Sequence, residues 1–460
     1  MKYLTDTIAA ISTAVSPSGI GIVRMSGADS FAIADAIYKG KKNKRLSEQA
    51  SHTIHYGFIM DGDETLDEVL VMLMRGPKSY TGEDTVEINC HGGIYVVKKV
   101  LELLIAKGAR PAEPGEFTKR AFLNGRMDLS QAEAVGDIIT AENEYALQSS
   151  VSQLKGNVRN KITDIRNEII YHTAFIETAL DDPEHISVDG YGDRLREVVE
   201  TLLSSLDALI DSADNGRIIK EGVKTVIIGK PNAGKSSLLN ALMGEERAIV
   251  TSIAGTTRDA LEEHISLGGI SLNIIDTAGI RDTADIIEKI GVDKAKGYLD
   301  EADLVLYVID ASVPLDENDD RIMEMIRDKK TIALLNKSDL PMIVTGADFE
   351  GKLAKMPTIV LSAKENLGLD TLEKQIKEMF FAGNLSFNDE IYITNVRQKQ
   401  ELKTAKNALL KVLESIDLGM PEDFYSIDLM DAYEALGNIT GEAVGEDLVN
   451  EIFGKFCMGK

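Results

Sequence analysis

The stretch GKPNAGKSS, Gly229 to Ser237, decides how this chain folds. It follows the apolar run Thr225-Val226-Ile227-Ile228, which reads as a buried strand, and leads into Leu238-Leu239-Asn240-Ala241-Leu242, which reads as a helix. A strand, a glycine-rich turn and a helix in that order make a phosphate cradle. Gly229 and Gly234 let backbone N–H groups close around a β-phosphate at the positive end of the helix, with Asn232, Ala233, Gly234, Lys235, Ser236 and Ser237 lining the turn. Lys235 is placed to reach the β and γ oxygens, and the Ser236 hydroxyl to ligate Mg²⁺. Taken alone, the same pattern also fits a plain strand-to-helix turn.

The residues downstream remove most of that ambiguity. After the run Ser271 to Ile275 comes Asp276-Thr277-Ala278-Gly279, whose aspartate can hold a Mg²⁺ water and whose glycine N–H can meet a γ-phosphate. After two further apolar runs, Leu304 to Asp310 and Thr331 to Leu335, comes Asn336-Lys337-Ser338-Asp339. The Asp339 carboxylate can accept two hydrogen bonds from the N1–H and exocyclic amine of guanine, which adenine cannot supply. Ser362-Ala363-Lys364, after the strand expected from Pro357 to Leu361, completes a base pocket with a backbone N–H. The implied nucleotide is GTP.

Between the loop and Asp276 lies a switch-like segment, Thr251-Ser252-Ile253-Ala254-Gly255-Thr256-Thr257, in which Thr257 is placed as a second Mg²⁺ hydroxyl. The position after Gly279 is Ile280, where small GTPases of the Ras type carry the glutamine that orients the attacking water. An apolar side chain cannot do that work. Asn232 offers a side-chain oxygen for a monovalent cation beside the phosphates, with oxygens of the Thr251 to Thr256 loop; asparagine is equally at home there as a left-handed turn residue.

With 460 residues the chain should hold more than one domain. A net charge of −25 argues against nonspecific, charge-driven binding of nucleic acid, although a local basic patch remains open to RNA. Cys90 and Cys457 have no metal-ligand spacing and form no disulfide framework, which fits a reduced, cytoplasmic protein. No apolar run is long enough to cross a bilayer, and the first residues lack the features of a signal peptide. We expect an α+β domain at 1–124, a helical domain at 125–215 resuming at 384–460, and a G domain at 216–383 inserted between its halves. Helical periodicity is expected over Ser30 to Tyr38 and Val96 to Lys107, and from Met127 to about Ala213. The basic run Lys39 to Arg45, and Lys399, Lys403 and Lys406 on one helical face, fit either an RNA contact or a solvated surface.

Several longer stretches resemble one family. They are Asp6 to Ala10 with Gly19 to Arg24, SYTGEDTVEINCHGG (Ser79 to Gly93), RPAEPGEFTKRAFLNGRMDLSQAEAV (Arg110 to Val135), the nucleotide motifs, and the terminal Cys457-Met458-Gly459-Lys460. Together they resemble the MnmE (TrmE) tRNA modification GTPases nearly end to end. The resemblance implies a multidomain α/β protein: a folate-binding-like α+β domain that dimerises, a helical domain, and a Ras-like G domain with a mostly parallel sheet. It implies a homodimer working with the flavoprotein MnmG in a heterotetramer-type complex on carbon 5 of the wobble uridine of certain tRNAs. The one-carbon unit would come from a tetrahydrofolate, as its 5-formyl or 5,10-methylene form, at Arg24, Glu87, Arg126 and Lys460. Potassium, held by Asn232, Thr251, Ile253 and Thr256, would replace an arginine finger. Glu288 would position the water, and Lys235 and Cys457 would complete the catalytic set. The turn Thr13 to Ser18 departs from the commoner TPPGRGG form of the family. A regulatory ribosome-assembly GTPase is the alternative, but such relatives often carry a KH domain, and the chain has no G-x-x-G loop.

Overall fold

The computed structural model describes residues 6–41, 44–187, 190–244, 263–275, 292–349, 356–381, 393–442, 445–456 and 459. The chain divides into two compact units. One comprises Met1–Gly136, Gln153–Val199 and Thr404–Lys460; the other comprises Asp137–Ser152 and Glu200–Lys403.

The first unit holds a seven-stranded sheet built from β1 (Ile8–Ile11), β2 (Ser18–Ser26), β3 (Tyr38–Gly40), β4 (Thr53–Asp61), β5 (Glu64–Met74), β6 (Thr85–Gly92) and β7 (Arg110–Pro111). Their order is β3-β4-β5-β6-β2-β1-β7, antiparallel except for the β1–β7 pair. One face is closed by the helix Ile94–Ala106, which buries Val97, Val100 and Leu104 at helical spacing over Val23, Met25, Val71 and Ile88. The opposite face keeps Ile20, Ile54, Tyr56 and Leu70 exposed. The helix expected over Ser30 to Tyr38 ends at Asp35, and Tyr38 enters β3 instead. β4 alternates as a strand should, Ile54-His55-Tyr56-Gly57-Phe58, but with its apolar side chains Ile54 and Tyr56 on the open face. Also in this unit, the helix Asn157–Asp181 lies along the helix Glu422–Thr440, with the Arg166 guanidinium 4.0 Å from the Tyr433 ring centre and ion-paired to Glu442 at 2.6 Å. The Asn157–Asp181 helix stops where Pro183 withdraws a backbone donor.

The second unit is built on a six-stranded sheet: β8 (Val223–Ile228), β9 (Glu263–Leu267), β10 (Ile270–Ile274), β11 (Leu304–Asp310), β12 (Thr331–Asn336) and β13 (Thr358–Val360). Its order is β13-β12-β11-β8-β10-β9, and every pair is parallel except the β9–β10 hairpin at the edge. Both faces are covered. Ile227, Leu272, Leu306 and Leu334 pack on one side, and Val226, Val305, Tyr307 and Leu335 on the other. That double burial is why these strands read as continuous apolar runs. The helix expected to stop near Ala213 runs on to Glu221, because Ile218 and Ile219 still face the core. It ends at Gly222, which takes φ +81°, and a Cβ there would meet the Ser271 carbonyl oxygen at 2.8 Å.

Candidate functional site

The turn after β8 is shaped by contacts that leave no room for side chains. Gly229 has φ +152°, and a Cβ there would lie 2.2 Å from the Val308 carbonyl oxygen on β11. Asn232 (φ +62°) and Gly234 (φ +102°) both occupy the left-handed region, and a Cβ on Gly234 would lie 2.0 Å from Asn336 Nδ2. Gly234 is the N-cap of the helix Lys235–Leu242 and, as a glycine, brings no side chain to cap it. The first N–H groups of that helix therefore point into the turn, as an anion site requires. Lys235 Nζ donates to the carbonyls of Gly229 (2.7 Å) and Lys230 (2.9 Å), which holds its ammonium over the loop. Ser236 sits half-buried in the first helical turn, and Ala233 is buried beneath. These features fit a polyphosphate.

The base pocket is joined to this loop by one side chain. Asn336, at the end of β12, donates from Nδ2 to the Ala233 carbonyl (2.8 Å) and accepts the Ala363 backbone N–H at Oδ1 (3.0 Å). It thus ties the phosphate turn to Ser362-Ala363-Lys364. Ser362 closes its own turn through two hydrogen bonds of 3.1 Å with Leu367. Its hydroxyl donates to Asp339 at 2.7 Å, which lowers the pKa of that exposed carboxylate. An ionised Asp339 is the acceptor a guanine edge needs. Lys337 stands at φ +64° and pairs its ammonium with Asp310; burial opposes ionisation of Asp310, but Lys337 and Ser312 outweigh it and lower its pKa. Lys364 extends into solvent.

On the open face of the other sheet, β2 and β6 place Arg24 opposite Glu87. Arg24 Nε donates to Glu87 Oε1 at 2.7 Å, and both side chains are largely buried. The Arg24 guanidinium lies 5.3 Å from the Tyr80 ring centre and 5.6 Å from that of Phe117, and Arg126 approaches Tyr80 at 5.1 Å. Gly459 arrives at the same place: its carbonyl accepts from Ser12 Oγ at 3.1 Å and from Arg24 Nη1 at 3.4 Å. The structure therefore brings Arg24, Glu87 and Arg126 together around Tyr80. Cationic groups, a carboxylate and an aromatic face in one patch match the amide and amine edges and ring of a pterin.

The remaining expected site residues, Thr251 to Thr257, Asp276 to Gly279, Glu288, Cys457 and Lys460, lie outside the described residues. Sequence reasoning did not single out Tyr80, Asp310, the clip made by Asn336, or the pair formed by Lys230 with Asp319. Asp310 did carry a signal, as an acid closing an otherwise apolar strand. Among the described residues no helix is long and apolar enough to cross a membrane, and no group of three or more His, Cys, Asp or Glu is arranged to hold a metal ion.

A loop that gathers phosphates at a helix start, clipped to a carboxylate set for a guanine edge, places the second unit among the P-loop GTPases. Comparison with known proteins narrows the class. The family profile of the MnmE helical domain matches residues 129–457, and that of the GTP-binding protein TrmE N-terminus matches residues 7–126. A tRNA modification GTPase MnmE of Lachnoclostridium phytofermentans is 60% identical over 99% of this chain and 100% of its own length. Proteins of the same name from Acetivibrio thermocellus and Clostridioides difficile are 51% and 46% identical, each across 100% of both chains. The chain belongs to the MnmE (TrmE) family of tRNA modification GTPases.

Proposed function

We propose that this chain is a potassium-activated GTPase of the cytoplasm that acts as a homodimer with the flavoprotein MnmG. Its reaction is the addition of an aminomethyl or carboxymethylaminomethyl group to carbon 5 of the wobble uridine of certain tRNAs. The observation that carries this reading is the meeting of Arg24, Glu87, Tyr80 and Gly459 on one sheet face, in a chain whose other unit is built for GTP. A GTPase alone has no use for such a patch. The exposed apolar side chains Ile20, Ile54, Tyr56 and Leu70 on the same sheet support burial of that face against a second copy. The expected domain limits, 1–124, 125–215, 216–383 and 384–460, are part of the proposal.

At the nucleotide, Lys235 and the first turn of the helix Lys235–Leu242 neutralise the β and γ oxygens, and Asp339 selects guanine over adenine. Ser236 and Thr257 supply hydroxyls to Mg²⁺. Asn232 supplies a side-chain oxygen to K⁺, with Thr251, Ile253 and Thr256 as its partners. When bound, these cations offset charge that develops on the transferring phosphoryl group. Glu288 orients the attacking water in place of the glutamine that Ile280 replaces. At the sheet face, Glu87 accepts from the amine edge of a tetrahydrofolate while Arg24, Arg126 and Lys460 hold its carbonyl and acidic groups.

The test is mass spectrometry of wobble nucleosides in a strain lacking the gene and in the same strain carrying it back. Loss and return of a carbon-5 modified uridine is expected, and an unchanged nucleoside profile in the deletion strain would remove the modification reading.

A further inference from the structure

The helix Glu317–Met325 begins with an acidic cluster that makes its helix-capping hydrogen bonds within itself. Asp319, 1% exposed, accepts the Tyr307 hydroxyl at 2.8 Å and the Asp316 backbone N–H at 2.8 Å, while Asp316 caps the helix through the Asn318 N–H. A reciprocal capping box of this kind satisfies a helix start by itself. Yet Lys230, the second residue of the phosphate loop, sends its side chain into the cluster. Its Nζ donates to Asp319 at 2.6 Å and to Asp316 at 3.0 Å, with only 15% of the side chain exposed.

The backbone of Lys230 has a second engagement. Its carbonyl accepts from Lys235 Nζ at 2.9 Å and from the Ala233 N–H at 3.3 Å. The residue is thus fixed at its tip by a buried acid and at its carbonyl carries the ammonium that must meet the phosphates. We propose that Lys230 is a positioning residue for nucleotide binding: its ion pair with Asp319 sets the carbonyl that aims Lys235, and keeps a second ammonium out of the phosphate site. This rests on the reading of the loop as a GTP site. A flexible lysine left loose beside Gly229 would lose both effects, since a ligand-binding group is only as well placed as the side chains that support it.

The experiment measures binding of a fluorescent GDP, together with thermal unfolding, in the full chain and in Lys230→Met, Lys230→Arg, Asp319→Asn and the Lys230→Met/Asp319→Asn pair. Lys230→Met should lower the unfolding temperature, because it leaves Asp319 buried without its cation, and at a temperature where it is fully folded should bind about tenfold more weakly; Lys230→Arg should return to within about threefold, and the double variant should be no weaker than Lys230→Met alone. Native affinity in a folded Lys230→Met, or losses that add in the double variant, would overturn the proposal. Should Lys230→Met fail to fold, Asp319→Asn decides: it keeps the acceptor for Tyr307 while removing the charge, so native affinity there overturns the tether. A native chain that binds no GDP would overturn the GTP-site reading, and the tether with it.

Discussion

The phosphate loop and the open sheet face present polar groups to a ligand in opposite ways. In the loop, the backbone is the binding surface, and its form is fixed by places where nothing fits: Gly229 against the Val308 carbonyl, Gly234 against Asn336. On the sheet, side chains make the proposed binding surface. Arg24 and Glu87 are brought together by strand register, and the Gly459 carbonyl comes to Arg24 from 435 residues away. A surface made of backbone tolerates no added atom but is indifferent to most side chains. A surface made of side chains tolerates small backbone shifts but not the loss of a charge.

The contrast is broken most directly at Gly229. Alanine there collides with a backbone oxygen of a buried strand, which cannot swing aside as a side chain could. Guanine nucleotide affinity should fall by about a hundredfold or more, measured by equilibrium titration. Near-native binding would show that the loop is held less tightly than its contacts indicate.

Next in size is the sheet face. Removing Cys457 to Lys460 takes away the carbonyl of Gly459 and the expected Lys460 cation while leaving the nucleotide loop untouched. Wobble-uridine modification should drop by about thirtyfold with GTP hydrolysis within about twofold of native, and Glu87→Gln should follow the same pattern more mildly. Parallel losses of both activities would dissolve the distinction between the two regions. A smaller effect sharpens the role of Asn232, which combines both modes: its φ of +62° belongs to the backbone surface and its side-chain oxygen to the other kind. Asn232→Gly keeps the left-handed turn and removes the oxygen. Hydrolysis in potassium should exceed that in sodium by about tenfold in the native chain, and the ratio should collapse to about one in the variant with GDP affinity kept. A persistent preference would assign Asn232 to the turn alone.

This difference also explains what could be read from sequence. The loop is contiguous, so Gly229 to Ser237 shows its spacing directly, and the buried parallel strands around it announce themselves as unbroken apolar runs such as Leu304 to Ile309. The tether from Lys230 to Asp319 joins residues 89 apart and leaves no local pattern. Arg24 and Glu87 are 63 apart, and nothing in their neighbours marks them as partners; only resemblance to a family named them. β4 does carry a local signal, Ile54-His55-Tyr56-Gly57-Phe58 in strand alternation, but Ile54 and Tyr56 are exposed, so its apolar side does not mark the core.

The smallest effect tests whether charges, rather than backbone, also fasten the sheet unit together. Arg120, 1% exposed, donates to the Asp6 carbonyl and carboxylate and to Glu116 and Glu83, while Arg110 bridges Asp6 and Glu116. Burial alone would raise the pKa of Glu116 and of Asp6, but the hydrogen bonds and charges of the two arginines outweigh it and hold both below their ordinary values. For a carboxylate depressed on folding, the unfolded chain binds protons first as the pH falls. The stabilisation is therefore complete above about pH 4.3, the ordinary glutamate pKa, and is lost as the pH drops through the lower folded values. Denaturant midpoints for the sheet unit, followed by a probe confined to it, should hold steady from pH 7 to about 5 and then decline. Arg110→Met should flatten the decline as well as lower the midpoint at neutral pH, because it removes the partner that made protonation costly. An acid limb of unchanged slope in Arg110→Met would mean that these carboxylates titrate alike in the folded and unfolded chain, and that the sheet unit rests on its apolar core as the nucleotide unit does.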